Sequence, residues 1–436
     1  MSVSTRTIGS ALAEVTGSAC LSEGPEAARS GLVDGVAPRW VVAPATSEQV
    51  GRILALAHGE GLVVVPRGSG SALSLGAPLD RVDIVLDTRN LTRVVDYNPD
   101  DLTVSVEAGL TAQALAGRLA ERRQWLPVDP PGSQSRTLGG LTATNALGPL
   151  RPRYGTLRDL LLGVRFVQAD GVVTWGGARV VKSVTGYDVP KLMVGSLGTL
   201  GVLTELTLRL HPRPDVEGTW LATFPSADAA QTFVGLVLDS TLQPNRVEFL
   251  NASALSACAA PTAPAAVAVC IGSVEAAVRE QGADLVSLAE RAEGGVTPTA
   301  TTFWDRFDQA VTRASRSNGD AVVLQIGTLP SRLAETAEAI ARGPAAIVTG
   351  CAALGSLHVV LDGTSAGEAA TAIARLRDSV AGFGGSVIVR AAPRAVRAAV
   401  DPWGPVAPAA LAVMQRLKQE FDPRRILNPG RFVGGI

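Results

Sequence analysis

Three glycine-rich stretches carry the residue types and spacings best suited to chemistry. The first is Pro66-Arg67-Gly68-Ser69-Gly70-Ser71, directly after the apolar run Leu62–Val65. Glycines let a backbone approach a ligand and take positive φ, so that successive N–H groups turn inward as an anion-binding nest, which is what a diphosphate needs. The run is not a G-x-G-x-x-G fingerprint, since position 73 is Leu, and taken alone a Gly/Ser turn is more often only a turn. The second joins Pro130-Pro131-Gly132 to Thr137-Leu138-Gly139-Gly140-Leu141-Thr142-Ala143-Thr144-Asn145. Its paired glycines fit a turn opening a short helix, whose N-terminus would present free N–H groups and a positive dipole end to a phosphate. Thr142, Thr144 and Asn145 would add side-chain bonds, and the structural alternative is a plain Ω-loop. The third runs from Lys182-Ser183-Val184-Thr185-Gly186-Tyr187-Asp188 to Gly195, Gly198 and Gly201. Glycines at spacing three before a strand imply backbone lying flat against something, and Tyr187 with Asp188 reads equally as a core aromatic beside a helix cap.

Other chemistries are poorly supplied. The four cysteines, Cys20, Cys258, Cys270 and Cys351, are scattered without a CxxC, which argues against a cluster or structural zinc and for isolated buried thiols in a reducing compartment. Three histidines, His58, His211 and His358, offer little acid–base or metal chemistry, and no metal is expected. A net charge of −1 without a basic run disfavours nucleic acid. No stretch approaches the roughly 18 apolar residues of a membrane span, and the first residues do not read as a secretory signal, so a cytoplasmic protein is the expectation.

The elements that must hold these loops follow from periodicity. With 436 residues, two or three domains are expected. Trp40–Ala43 reads as a strand. Thr46 caps a helix with Val50, Ile53, Leu54 and Ala57 at helical spacing, and Gly61 ends it. Leu62–Val65, Ile84–Leu86 and Thr103–Glu107 read as strands and Thr111–Arg122 as a helix. Residues 127–155 form a loop long enough to suggest function. Leu161–Gln168 and Val172–Trp175 flank Ala169-Asp170-Gly171, a hairpin with a two-residue Asp-Gly turn at positive φ. Val202–Leu210 is a further strand, and the proline-rich stretch 212–225 marks a boundary. Beyond it, strands Thr219–Thr223, Arg246–Leu250, Val267–Ile271, Val322–Ile326, Ala346–Val348, Leu357–Leu361 and Ser386–Arg390 alternate with helices at 227–239, 274–292, 330–342 and 365–381. That pattern suits an antiparallel sheet with helices on one face. Residues 407–436 read as a helix ending at Phe421, then an extended tail.

As a set, the loops resemble the FAD-binding domain of the vanillyl-alcohol oxidase and p-cresol methylhydroxylase superfamily. TLGG-x-x-ATN, RYG-x-x-RD, K-x-x-x-GYD and G-x-x-GTLGV-x-TE follow one another at fitting separations, and Phe421-Asp422-Pro423 through Leu427-Asn428-Pro429-Gly430 resembles the family's C-terminal return segment. The resemblance implies an α+β fold: a PCMH-type FAD-binding domain of two α/β subdomains plus an antiparallel-sheet cap domain. It divides the chain into a lead-in (1–35), FAD-binding domain (36–215), cap (216–400) and return segment (401–436). It also implies an FAD-dependent oxidoreductase acting on CH–OH groups, with Arg67, Gly68, Ser69, Gly70, Ser71, Pro131, Gly132, Thr137, Leu138, Gly139, Gly140, Thr142, Thr144, Asn145, Gly148, Tyr154, Gly155, Gly198, Thr199, Gly201, Val202 and Asn428 around the cofactor. Relatives that attach FAD covalently use a histidine of the first loop. Here that loop holds Ser69 and Ser71, and residues 100–150 contain no Cys, so non-covalent FAD is implied.

Within the family, the runs 154–159 and 181–188 look most like the FAD-binding E subunit of bacterial glycolate oxidase. That likeness implies work within a complex containing a sister flavoprotein and an iron–sulfur subunit, acting on glycolate or a related 2-hydroxy acid, with peripheral membrane association through the complex. The alternatives are a self-sufficient D-2-hydroxy-acid dehydrogenase, a non-catalytic flavin-bearing assembly subunit, and, more remotely, an oxidase of a sugar alcohol or cell-wall precursor. Self-sufficient relatives carry H-x-G-D-G-N-L-H, which helps hold a metal and the substrate carboxylate. The corresponding run here begins with Cys351 and ends with His358. A thiol and a lone imidazole make a poor hard-cation site. Arg390 and Arg394 are weak candidates for a carboxylate clamp, His358 is a weak catalytic candidate, and no base stands out.

Overall fold

A computed structural model describes residues 5–178, 186–300, 302–316 and 320–436. The fold is α+β. The first sheet has the order Leu21–Glu23, Trp40–Val42, Ile84–Asp87, Val64–Arg67, the last three mutually parallel. Parallel strands need both faces covered, and the capped helix Ser47–Glu60 does part of this, with Val50, Ile53, Leu54 and Ala57 buried and Gly61 left-handed at φ 64°. The N-terminal residues are more than a lead-in. Ile8 and Leu12 are buried against Trp40 and Ile53 in one core, and Leu21–Glu23 completes the sheet.

The second sheet is antiparallel, ordered Val94–Asn98, Thr103–Glu107, Val202–Arg209, Leu161–Val167, Val173–Gly177. Its hairpin exists as the Asp-Gly signal predicts, but the turn is one residue longer. Gln168 N–H bonds Val172 O, Gly171 N–H bonds Gln168 O, and of the loop residues Gly171 takes positive φ. This is the three-residue loop with a left-handed glycine. A Cβ on Gly171 would lie 2.4 Å from Gly51 O, so helix and hairpin touch backbone to backbone.

The third sheet has eight antiparallel strands, in the order 295–298, 216–224, 265–273, 246–251, 346–351, 356–361, 322–327, 386–391. Side chains alternate between its faces. Phe249, Val267, Val269, Leu324, Val359 and Val389 face the helices Ala227–Leu238, Glu275–Arg291, Leu333–Ala341 and Ala366–Ala381. The opposite face carries two helices that were not anticipated, Ala252–Ala257 and Phe303–Ser315. They pack Leu255, Phe303 and Phe307 on Leu221, Leu250 and Ala268. Along this second face the alternation also places Glu248, Gln325, Cys351, His358 and Arg390, toward the two smaller sheets.

The chain then returns. Lys418, on the helix Pro408–Phe421, is 1 % exposed and donates to Asp422 Oδ2 (2.6 Å), Thr199 O (2.8 Å) and Leu427 O (3.0 Å). Asp422 in turn accepts from the N–H groups of Ile426 and Leu427. The turn so fixed lays residues 426–428 beside the first sheet: Val64 N–H donates to Ile426 O and Asn428 N–H to Val64 O. A second tie is Asp34, whose carboxylate is buried between Arg397 and Arg431. Among the described residues, no helix is long and apolar enough to cross a membrane.

Candidate active site

Two adjoining cavities share Ser71, Ala72 and Leu75. The first, ≈ 800 Å³ and open to solvent, runs between the two smaller sheets. It brings together Arg67, Gly68, Ser69, Gly70, Ser71, Gly139, Gly140, Thr144, Gly198, Gly201, Val202 and Asn428, all anticipated from sequence. Its floor admits no larger residues. A Cβ on Gly68 would lie 2.1 Å from Thr137 Oγ1, and one on Gly198 would lie 3.1 Å from Pro66 at a φ of +67°. The N–H groups of Ser69, Gly70 and Ser71 have no protein partner among the described residues, and Gly70 has φ +76°. Asn428 donates to Leu197 O (2.7 Å), which leaves its buried Oδ1 unpartnered.

Other anticipated residues stand elsewhere. The helix Leu138–Ala143 does form with Thr137 as its cap, but its first N–H groups are spent. Leu138 N–H donates to Leu110 O, Gly139 N–H to Ala108 O and Gly140 N–H to Thr137 Oγ1. The backbone N–H groups left free at this cavity are therefore those of the loop 69–71, not of this helix end. Thr142 Oγ1 donates to its own helix at Leu138 O (2.8 Å), and Thr199 Oγ1 to Ser196 O (2.7 Å). Asn145 is left-handed with its Oδ1 buried and unpartnered, outside both cavities. Tyr154 packs edge-on against Trp125 and His211, while Gly155 and the Thr156–Asp159 capping box shape a turn. Neither Tyr154 nor Gly155 lines either cavity. Pro131 and Gly148 line the second cavity, and Gly132 N–H bonds Asp308 of the large-sheet segment (2.8 Å). The Arg67 guanidinium is held by Asp87 (2.7 Å) and Ser30 O. Tyr187 is 96 % exposed, not a core aromatic, and Asp188 caps the helix Val189–Met193. Lys182 to Thr185 lie outside the described residues.

The second cavity, ≈ 1170 Å³ with its open mouth, lies between the first cavity and the large sheet. Arg390 reaches across to donate to Thr144 O (3.1 Å), and Arg136 donates to Thr144 Oγ1 (3.2 Å) while its buried Nε has no partner. Both guanidinium pKa values are lowered to about 10, that of Arg390 by burial and that of Arg136 by burial and then by the charges of Arg390 and Arg316. Arg151 and Arg316 also line this space. Glu248, 3 % exposed, is pushed well above the usual carboxylate range by burial, then by the charge of Asp129, with Arg246 opposing. Burial, then Arg390, lowers the His358 pKa to about 4, so its imidazole is neutral at pH 7, with Nε2 3.2 Å from Ser315 Oγ. Arg394 is no clamp: it bonds Asp80 (2.6 Å) and Leu79 O at the surface. Arg136, Arg151, Arg316 and Glu248 went unnoticed in the sequence.

A metal does not fit this wall. Burial raises the Cys351 thiol far above its ordinary range, so it stays protonated, and among the described residues no three His, Cys, Asp or Glu side chains gather as ligands. A flavin dinucleotide does fit the first cavity, where unpaired N–H groups meet a floor of glycines.

Comparisons with known proteins agree. The family described as FAD binding domain matches residues 38–177, and FAD linked oxidases, C-terminal domain, matches residues 405–432. Glycolate oxidase subunit GlcD of Bacillus subtilis is 28% identical, over 90% of this chain and 88% of its own length. A probable mitochondrial D-lactate dehydrogenase of Danio rerio is 30% identical, over 90% and 84%. Glycolate oxidase subunit GlcE of Escherichia coli is 38% identical, but over only 35% of this chain and 43% of its own length, so the likeness to an E subunit is partial. Among solved structures, p-cresol methylhydroxylase superposes with a TM-score of 0.78 at 16% identity, over 98% of this chain and 96% of that one. The chain is an FAD-dependent oxidoreductase and belongs to the family of FAD-linked oxidases with a PCMH-type FAD-binding fold.

Proposed function

We propose that the chain itself oxidises a 2-hydroxy acid, using non-covalent FAD in the first cavity and binding the acid in the second. The observation that carries this reading is the meeting of Arg136 and Arg390 at Thr144, a residue of the cofactor cavity. Two half-buried guanidinium groups without a carboxylate partner call for an anion from outside. Residues 69–71 would hold the diphosphate, Asn428 would lie near the flavin ring, and bound FAD would supply the hydride acceptor. The arginines fix the substrate carboxylate and so the carbinol carbon. His358, neutral and facing the same space, accepts the hydroxyl proton as hydride leaves the carbon. In this reading residues 36–215 form the cofactor unit, 216–400 the cap and 401–436 the segment that closes the cofactor unit.

Adding glycolate or D-lactate anaerobically to the FAD-loaded chain is expected to bleach its visible spectrum. A spectrum that stays oxidised with every 2-hydroxy acid overturns the reading. It would favour the second one, a subunit passing electrons within a glycolate-oxidase-type complex, which the replacement of the first motif histidine by Cys351 supports.

The low pKa of His358 has a consequence for pH. Its folded value, about 4, lies below the roughly 6.5 of an unfolded histidine. Its neutral burial therefore contributes stability fully above pH 6.5, lost as pH falls toward 4. As the base it stays unprotonated over the same window. The acid limb of kcat/KM is expected near pH 4 and to be absent in His358→Gln, whose rate falls about 10²–10⁴-fold. A limb at 6.5 in wild type, or unchanged rates in the variant, would remove His358 from the mechanism.

A further inference from the structure

The large sheet walls the second cavity with a polar row longer than a small acid needs. Its strands there run in the order Arg246–Asn251, Ala346–Cys351, Ser356–Leu361, Val322–Gly327, Ser386–Ala391. Cross-strand pairing sets Glu248 opposite Cys351, Cys351 opposite Ser356, and His358 opposite both Thr349 and Gln325. Residues directly opposite share a face, so these side chains line the cavity in that order, with Arg390 on the last strand. The four steps between the strands of Glu248 and Arg390 put about 19 Å between the ends of the row. His358 stands two strands from either end. Glycolate or D-lactate, fixed by its carboxylate at Arg136 and Arg390, leaves the Glu248 end unanswered.

Beyond the arginine end the row is polar but uncharged. Glu248 is 3 % exposed, and its carboxyl makes no hydrogen bond or ion pair with any described residue. Burial without a bonded cation keeps such a group protonated. Cys351 stays a thiol, His358 is neutral, and Gln325 donates to Ser356. On the helix Phe303–Ser315, which faces this wall, the Oγ1 of Thr312 is also buried without a partner. Buried hydrogen-bonding groups that the protein leaves unmatched are costly unless a ligand matches them. An alkyl chain along the row would leave both groups orphaned. A chain of hydroxyls accepts from the Glu248 carboxyl, donates to its carbonyl oxygen, and also accepts from the Arg151 guanidinium on the same wall.

We propose that the substrate is a polyhydroxy acid: a linear 2-hydroxy acid whose carboxylate sits at Arg136 and Arg390 and whose further hydroxyl groups run along the row past His358 to Glu248. The proposal rests on the hydroxy-acid reading above. The oxidation is the same, with hydride leaving the carbinol carbon for bound FAD, the hydroxyl proton passing to His358, and a 2-oxo acid formed. Glu248 takes no part in that step. It determines specificity, by a hydrogen bond to a distal hydroxyl.

2-Deoxy-D-gluconate and hexanoate have equal carbon number, and neither carries the hydroxyl that would be oxidised. Their dissociation constants with the FAD-loaded chain, measured by calorimetry, test the row directly. The polyhydroxy acid is expected to bind about 10–100-fold tighter. Glu248→Leu is expected to lower that ratio about tenfold, whereas Glu248→Gln, which keeps an uncharged donor in place, retains most of it. FAD content and melting temperature show that each variant is folded. Equal affinities or a preference for hexanoate in wild type, absence of binding by the polyhydroxy acid, or an unchanged ratio in Glu248→Leu would overturn the proposal. D-Gluconate and D-lactate added anaerobically to the same preparation separate the two ideas. A preference for 2-deoxy-D-gluconate with neither hydroxy acid bleaching the flavin overturns the hydroxy-acid reading alone. Bleaching by D-lactate with equal affinities overturns the polyhydroxy-acid proposal alone.

Discussion

Lys418→Met is expected to destabilise the protein by about 3–5 kcal/mol, the cost of removing one partner from a buried ion pair. The ammonium is 1 % exposed and satisfies three acceptors, of which Asp422 is itself fully buried. Methionine fills similar volume but leaves the Asp422 charge facing Thr199 O and Leu427 O. The strain falls on the turn that delivers residues 426–428 to Val64, so Asn428 should leave the cofactor cavity and FAD affinity should fall with stability. Urea denaturation of the apo and FAD-loaded forms measures both effects. Asp422→Asn should cost a comparable amount, because it leaves the buried ammonium without its counter-charge and turns an amide N–H2 toward one of the donors that both carboxylate oxygens now accept from. A loss below about 1 kcal/mol in Lys418→Met would mean that the return segment is held by its apolar contacts, chiefly Ile426 and Leu427.

Arg390→Met should lower kcat/KM by about 30- to 5000-fold, the 2–5 kcal/mol attached to truncating one side of a hydrogen-bonded charge pair. FAD content should be unchanged, since Arg390 touches the cofactor cavity only through Thr144 O. A purely structural role would show as lost FAD or a lower melting temperature with kinetics otherwise intact. Arg390→Lys keeps the charge but not the two-pronged geometry, and should recover only part of the rate. Added guanidinium ion should rescue the methionine variant if an anion is what the site lacks. Full activity in Arg390→Met would leave Arg136 as the sole clamp.

Much of this site is legible in the sequence, and what is not has physical reasons. The glycines of the first and third loops announce themselves because a side chain would collide where the backbone packs closely, as at Gly68, or would strain a positive φ, as at Gly198. The Gly139-Gly140 run was read correctly as a helix start and wrongly as a donor. Nothing local reveals that the carbonyls of Ala108 and Leu110 already occupy its N–H groups. Tyr154 and Gly155 sit in a recognisable motif, yet the motif specifies a turn and an aromatic stack. The arginine cluster was invisible for a different reason. Its members come from four elements separated by up to 254 positions in a chain rich in arginine, so that no spacing marks them. The helix Phe303–Ser315 did leave a signal, Phe303, Phe307 and Val311 at intervals of four, and it carries the Ser315 that faces His358.

The return segment bears on how this protein is made. Residues 426–428 pair with Val64, and Asp34 waits for both Arg397 and Arg431. A ribosome emitting residues in order exposes the glycine-rich loop at 68–71 long before the chain that completes its surroundings. The first sheet must stay unfinished, with one side of Val64 unpaired, until almost the whole polypeptide has emerged. Contacts so distant in sequence form late. Capture of the flavin therefore belongs after synthesis, and chains interrupted anywhere before residue 428 should emerge colourless.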